Sequence, residues 1–242
     1  VIVMGHKYAD HDCVASSVAV ARVAKTLGKQ VNIVVNIHDF NLKAIFNSLR
    51  NNKDYTDLFI DREYAQELMR ANTLLVVCDV NNVKLFEVPE IYEAASTVVI
   101  IDHHRKTVDH INKAVIFYHE PNASSASEMV TELIEYIDVD VKVPQVCAEA
   151  LMSGITLDTK NFVMKTGVRT FEAAAYLRSL GADTVKVKQL FSNSMKTQKD
   201  KSEVMKNAAM YENCAVGVVD FESDDVRIVA SQAADELLNI SG

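Results

Sequence analysis

The sequence has no tryptophan, and only seven glycines and three prolines in 242 residues. Such scarcity excludes a collagen and argues against long flexible linkers. The four cysteines, Cys13, Cys78, Cys147 and Cys214, are scattered without a CxxC pair. That excludes a disulfide miniprotein and fits reduced thiols in a cytoplasmic setting. Basic charge is in deficit: 25 Lys and Arg stand against 33 Asp and Glu, a net charge of −8. A nonspecific duplex binder needs cationic surface to neutralise phosphates, so duplex nucleic acid is not an expected partner. No apolar run approaches the roughly 18–20 residues of a membrane span, so no membrane contact is expected of this segment. The runs at residues 74–78 and 98–101 have strand length. No signal peptide is expected in these residues, and they hold no internal repeat or low-complexity segment. The first residue, Val1, already lies in an apparent strand, so the chain is expected to be a piece of something longer.

About half of the residues are hydrophobic (49%) and a quarter charged (24%), the balance of a globular protein. Residues 1–5, 31–35, 58–60, 73–78, 97–101 and 114–118 read as strands. Residues 14–27, 42–49, 64–70, 125–137, 144–157 and 170–180 read as helices, with Gly28 closing the first. This alternation predicts βαβ units and a doubly wound, mostly parallel α/β sheet. After about residue 184 the texture changes. Residues 185–191 and 196–211 read as helices, 214–219 and 226–230 as strands joined by a turn at 222–225, and 232–239 as another helix. The expected division is 1–183 and 184–242, the latter the start of a smaller α/β domain. The charged stretch 196–211 suits a domain linker or a homodimer contact equally.

Ligands of parallel sheets sit at the carboxyl ends of the strands. Three motifs fall there. His6, Asp10 and Asp12 form an HxxxDxD pattern after the first strand. One imidazole and two carboxylates suit Mn²⁺, Mg²⁺, Fe²⁺ or Zn²⁺. Asp12 also stands where a helix N-cap is expected, which by itself would explain an aspartate there. Asp79 follows the buried strand that ends at Cys78. Asp102, His103 and His104 follow the strand that ends at Ile101. Neighbours in an extended chain point to opposite sides, so one histidine is expected to ligate metal while the other faces substrate. Asp102 is expected to fix the tautomer of the ligating ring. Asp158, after an apolar helix, could add a further carboxylate. His11, between two acids, is expected to point away from them as an outer or solvent-facing group.

The ordered set HxxxDxD, lone Asp, DHH and later Asp resembles the DHH phosphoesterase superfamily. The segments IDHHRK, EPNASSASEMVTELIEY, LMSGITLDTKNF and TGVRTFEAAAYLRSLGAD are similar to those of GdpP-type cyclic-di-AMP phosphodiesterases, and the resemblance spans essentially the whole chain. It implies two divalent metal ions, with Mn preferred. His6 and Asp10 would bind one, Asp12, His103 and Asp158 the other, and Asp79 would bridge them. His104 would face the substrate phosphate, and Ser124, Ser125 and Arg169 would contact phosphate or nucleotide. Zn is disfavoured, because no cysteine is expected to be placed to ligate. Cys13 and Ala15 depart from the family pattern. The glycine-rich, histidine-containing run that completes substrate recognition in the family is absent.

The activity so implied is hydrolysis of a cyclic dinucleotide, cyclic-di-AMP, to linear pApA by a metal-activated hydroxide. The resemblance also implies a cytosolic part of a membrane-anchored protein. The alternatives are a short-oligonucleotide phosphodiesterase or inorganic pyrophosphatase on the same metal pair, and a non-catalytic nucleotide-sensing module.

Overall fold

A computed structural model describes residues 1–37, 42–106, 111, 113–222 and 226–240. The chain divides into two compact units, Val1–Leu190 and Phe191–Gly242.

The first unit is built on a six-stranded sheet, ordered β3-β2-β1-β4-β5-β6, in which every pairing is parallel. The strands are β1 (Ile2–Met4), β2 (Asn32–Val34), β3 (Phe59–Ile60), β4 (Leu74–Cys78), β5 (Thr97–Asp102) and β6 (Ile116–His119). They are rich in Val and Ile, as expected of strands buried on both faces. Helices α1 (His11–Thr26), α5 (Ala126–Tyr136) and α6 (Gln145–Asp158) pack together on one face. On the other, Ala65 of α3 (Arg62–Leu68) and Ile91 and Tyr92 of α4 (Pro89–Ala94) form a core with Ile2, Met4, Leu75, Val77, Val98 and Ile100. These strand residues are alternate positions, so each strand feeds both cores. Helices α2 (Lys43–Arg50), α7 (Val168–Ser179) and α8 (Thr184–Leu190) complete the unit. The doubly wound parallel sheet is the architecture expected from the sequence. Its strand order reverses between β1 and β4, and that crevice is where such sheets bind ligands.

Details differ from the expected elements. Helix α1 starts at His11, because Asp10, not Asp12, is its N-cap: Asp10 Oδ1 accepts from the amides of Asp12 (2.9 Å) and Cys13 (3.0 Å). Leu27 is the C-cap, and Gly28 follows it with φ +71°, the left-handed position that favours glycine. Helix α4 was not anticipated; it has six residues, and Pro89 begins it.

In the second unit, α9 (Met195–Lys206) ends before the predicted residue 211. Residues Ala209–Tyr211 form β7 instead, paired antiparallel with β8 (Cys214–Val216). Glu212 turns the hairpin with φ +52°. The expected strand at 226–230 is the first part of α10 (Val226–Leu237). Val229 and Ala233, four residues apart, bury one face of α10 with Val204 of α9. A short β-branched run cannot be told from a buried helical stripe by period alone. Residues 223–225 of the expected turn lie outside the described residues. No described helix is long and apolar enough to cross a membrane.

Candidate metal centre

The sheet delivers its polar residues to the β1/β4 crevice. Beyond β1, Lys7 N–H donates to the Leu85 carbonyl (2.8 Å) and Glu87 N–H to the Gly5 carbonyl (3.0 Å), which fixes the loop that carries His6. Beyond β4, Asp79 adopts φ +63° while its N–H donates to the Ile101 carbonyl (2.8 Å). Left-handed backbone in a non-glycine costs about 1–3 kcal/mol and persists where the surroundings impose it. Here it directs a buried carboxylate between two loops. Asp79 Oδ2 lies 3.4 Å from His6 Nε2, and Asp79 Oδ1 lies 3.4 Å from His103 Nε2.

His103 Nε2 also faces Asp158 Oδ2 at 3.1 Å and Asp12 Oδ2 at 3.8 Å. None of these approaches has hydrogen-bond geometry: His103 Nε2 and Asp79 Oδ1 are buried atoms without a hydrogen-bond partner. Buried polar atoms that converge yet leave one another unsatisfied are what a cation-binding cluster presents when its donors are aimed at a common point. The donor set of imidazole and carboxylate fits a divalent ion of intermediate hardness.

Asp12 is held from behind. Its Oδ2 accepts from Ala126 N–H (2.7 Å) and its Oδ1 from Ser127 N–H (2.8 Å), the first amides of α5. A helix N-terminus favours such a carboxylate. The fit requires Gly154 on α6: a Cβ there would meet Ser127 Oγ at 2.2 Å and Asp12 Oδ1 at 2.8 Å. Burial, then the Asp79 charge, pushes the Asp12 carboxyl well above the usual carboxylate range. Asp10 is pushed up too, to about 6, by burial and by Asp79; its side chain keeps 41% of its surface exposed, so solvent screens that effect. Burial opposes charge on Asp79, but His103 and His6 outweigh it and hold its pKa down. Burial likewise opposes charge on His103, and the Asp158 and Asp79 carboxylates outweigh it and raise the ring's pKa. The cluster is crowded with like charge, which a divalent cation relieves.

The two histidines are not on opposite sides. The strand ends at Asp102, and the rings lie 4.5 Å apart. They differ in exposure: His103 is buried, while His104 keeps 53% of its side chain exposed. Asp102 serves His104, not His103. His104 Nδ1 lies 2.9 Å from Asp102 Oδ1 and 3.5 Å from Asp79 Oδ1. The Asp102 hydrogen bond raises the His104 pKa. Asn81 Nδ2 donates to Asp102 Oδ2 and to the His104 carbonyl, which locks the pair. The sequence motifs do not single out Asn81; its place two residues beyond Asp79 was the available signal.

The remaining candidates have partners of their own. Ser125 caps α5 by accepting from Glu128 N–H (3.0 Å). Ser124 is fully buried and donates its hydroxyl to Glu128 Oε2 (2.5 Å). The Arg169 guanidinium is exposed and paired with both oxygens of Glu132 (2.7 and 2.6 Å), with Glu120 at 3.6 Å. His11 does not face solvent: it is buried, with Nδ1 3.0 Å from Ser153 Oγ, and burial lowers its pKa to about 4. Cys13, within the first motif but not expected to ligate, joins His6 and Asp79 in a group whose donor atoms lie within 4.8 Å of one another.

Residues 1–155 match the DHH family, N-terminal domain. The cyclic-di-AMP phosphodiesterase PdeA of Listeria monocytogenes serotype 1/2a (strain 10403S) is 35% identical over 245 residues, covering 100% of this chain and 37% of that protein. The cyclic-di-AMP phosphodiesterase GdpP of Geobacillus thermodenitrificans (strain NG80-2) is 35% identical over 246 residues, with the same coverage of each. The chain thus spans little more than a third of the length of these relatives. The crystal structure of an exopolyphosphatase-related protein from Bacteroides fragilis shares the fold, with a TM-score of 0.72 at 20% identity, over 87% of this chain and 62% of that one. Since the match runs unbroken from β1 to the penultimate turn of α6, through all but the last of the clustered acids, the chain belongs to the DHH family.

Proposed function

We propose that this chain carries the catalytic centre of a metal-dependent phosphodiesterase that hydrolyses cyclic-di-AMP to linear pApA. The observation that carries the proposal is the convergence of His103 Nε2 and Asp79 Oδ1, buried and unsatisfied, with the Asp12 and Asp158 carboxylates around them. The substrate is inferred from similarity to relatives named for that activity. His6 and Asp10 would hold one divalent ion, Asp12, His103 and Asp158 a second, and Asp79 would serve both. Mn²⁺ is the preferred ion. When bound, such a pair neutralises phosphoryl oxygens and supplies a nucleophile from water near neutral pH.

The chain's own groups then have defined tasks. Asp79 faces His6 with one oxygen and His103 with the other, as a carboxylate serving both ions would. Asp102 holds His104 Nδ1, leaving Nε2 to meet a phosphoryl oxygen or to protonate the leaving ribose oxygen. The Ser124–Ser125 turn borders Asp12 through the first amides of α5. Arg169 would meet phosphate only by giving up Glu132. Residues 1–183 would form the catalytic region, and 184–242 linker helices and part of a substrate-binding domain. The proposal extends to the cytosolic part of a membrane-anchored protein and to a homodimer.

The test is a substrate panel with Mn²⁺ and with chelator: cyclic-di-AMP, pApA, pyrophosphate and a short oligonucleotide. Metal-dependent release of pApA supports the proposal. Cleavage of pyrophosphate or oligonucleotide with the cyclic dinucleotide untouched would sink the substrate assignment.

A further inference from the structure

Cys13 is the chemically unexpected residue of the metal centre. It lies in the first turn of α1, one residue beyond Asp12, and is buried. Its sulfur occupies the space that a side chain on Gly5 would fill: a Cβ at Gly5 would meet Cys13 Sγ at 2.0 Å. Gly5 and Cys78 immediately precede His6 and Asp79, and the sulfur sits between these two strand ends, the Cys78 carbonyl being 3.3 Å from that same Cβ position. His6, Cys13 and Asp79 accordingly present nitrogen, sulfur and oxygen donors within 4.8 Å of one another. On this side Asp79 presents Oδ2 to His6 Nε2 (3.4 Å), while its buried Oδ1 faces His103.

We propose that Cys13 is a sulfur ligand for a thiophilic divalent ion, Zn²⁺ or Cd²⁺, at the position bounded by His6 and Asp79. The proposal rests on the reading of this cluster as a metal centre. Thiolate ligands select soft or borderline ions over Mn²⁺ and Mg²⁺. A tetrahedral zinc with bonds of about 2.3 Å to sulfur and about 2.0–2.1 Å to nitrogen holds these donors roughly 3.6 Å apart, so the group need contract by only about 1 Å. On binding, the S–H bond breaks, its proton passes to solvent, and a sulfur–metal bond forms. The neighbouring group of Asp12, His103 and Asp158 offers only nitrogen and oxygen. The two positions therefore differ in softness, and a soft ion would partition to the Cys13 side.

The test is titration of the metal-free chain with Cd²⁺, following the sulfur-to-cadmium charge-transfer absorption and total bound cadmium together. Cys214 is exposed, so the parent is the Cys214→Ser variant. The expected result is a charge-transfer band in Cys214→Ser that disappears when Cys13→Ser is added. Cys13→Ser should also weaken Cd²⁺ binding at that position by at least the roughly 10–100-fold lost with lesser ligand-shell changes. Cys13→Ala provides a second variant, and a thermal melt of each establishes that it is folded. Persistence of the band without Cys13 would overturn the proposal, as would bound cadmium without any band in the parent. In either case, bound cadmium would leave the metal-centre reading standing. If neither Cd²⁺ nor Mn²⁺ binds, both fall together.

Discussion

Asp79 is the residue on which the histidine-bearing loops converge, one oxygen toward His6 and the other toward His103. Asp79→Ala removes that shared carboxylate. It is expected to lower cyclic-di-AMP hydrolysis by at least the ~10²–10³-fold typical of losing one principal electrostatic contact. His104→Ala should cut the rate by roughly 10²–10⁴, the range of a lost general acid–base or charge-stabilising group, with metal content near wild type. Loss of metal in that variant would reverse the roles given to the two histidines. His11, between the acids Asp10 and Asp12, tests the effect of burial. Its pKa is depressed from 6.5 to about 4, so the unfolded chain binds the proton first as pH falls. Wild-type stability should therefore exceed that of a neutral His11→Asn variant by an amount that shrinks from pH 6.5 to 4. The swing is about 3 kcal/mol on the scale of 1.36 kcal/mol per pKa unit. A flat difference between the two unfolding curves across that range would contradict it. The acids flanking His11 were visible in the sequence, but its burial was not. Alternation along an extended chain turns it outward, whereas the helix that starts at His11 turns it against Ser153 of α6.

Three helices set the position of Asp12: α1 carries it, α5 supplies two amides, and α6 comes close enough only because residue 154 is glycine. Gly154→Ala should force these helices apart and destabilise the unit by about 1–3 kcal/mol, the usual cost of overpacking. Mn²⁺ affinity should fall with it. Unchanged affinity would mean that Asp12 tolerates the shift. Strand β5 could be read from its β-branched run, and so could the delivery of Asp102 and the DHH histidines to its end. The pairing of Asp102 with His104 could not be read, because it depends on how the chain leaves β5 and on Asn81 from the neighbouring loop. The second unit was the least legible. Residues 226–230 hold the β-branched Val226, Ile228 and Val229, yet they are helical because Val229 and Ala233 pack with Val204.

At the scale of the molecule, a chain of net charge −8 gathers four carboxylates, Asp10, Asp12, Asp79 and Asp158, at the reversal of its parallel sheet. Without a cation, burial and mutual repulsion raise the pKa of Asp10 and Asp12. Cation binding must expel those protons, so Mn²⁺ affinity should be weakest in acid and rise as pH passes through about 6, where Asp10 ionises. Affinity that does not change from pH 5 to 7 would contradict this. The alternation of strands and helices made the sheet legible, and the order of the motifs along the chain made the cluster legible. The sulfur of Cys13 at its edge was not, since only the packing of α1 beneath Gly5 brings it there. The most direct measurement of the central claim is anomalous diffraction from crystals of this chain grown with Mn²⁺. The account predicts two manganese peaks sharing Asp79, one beside His6 and Asp10, the other beside Asp12, His103 and Asp158. No peak there, or manganese bound only elsewhere on the chain, would contradict it.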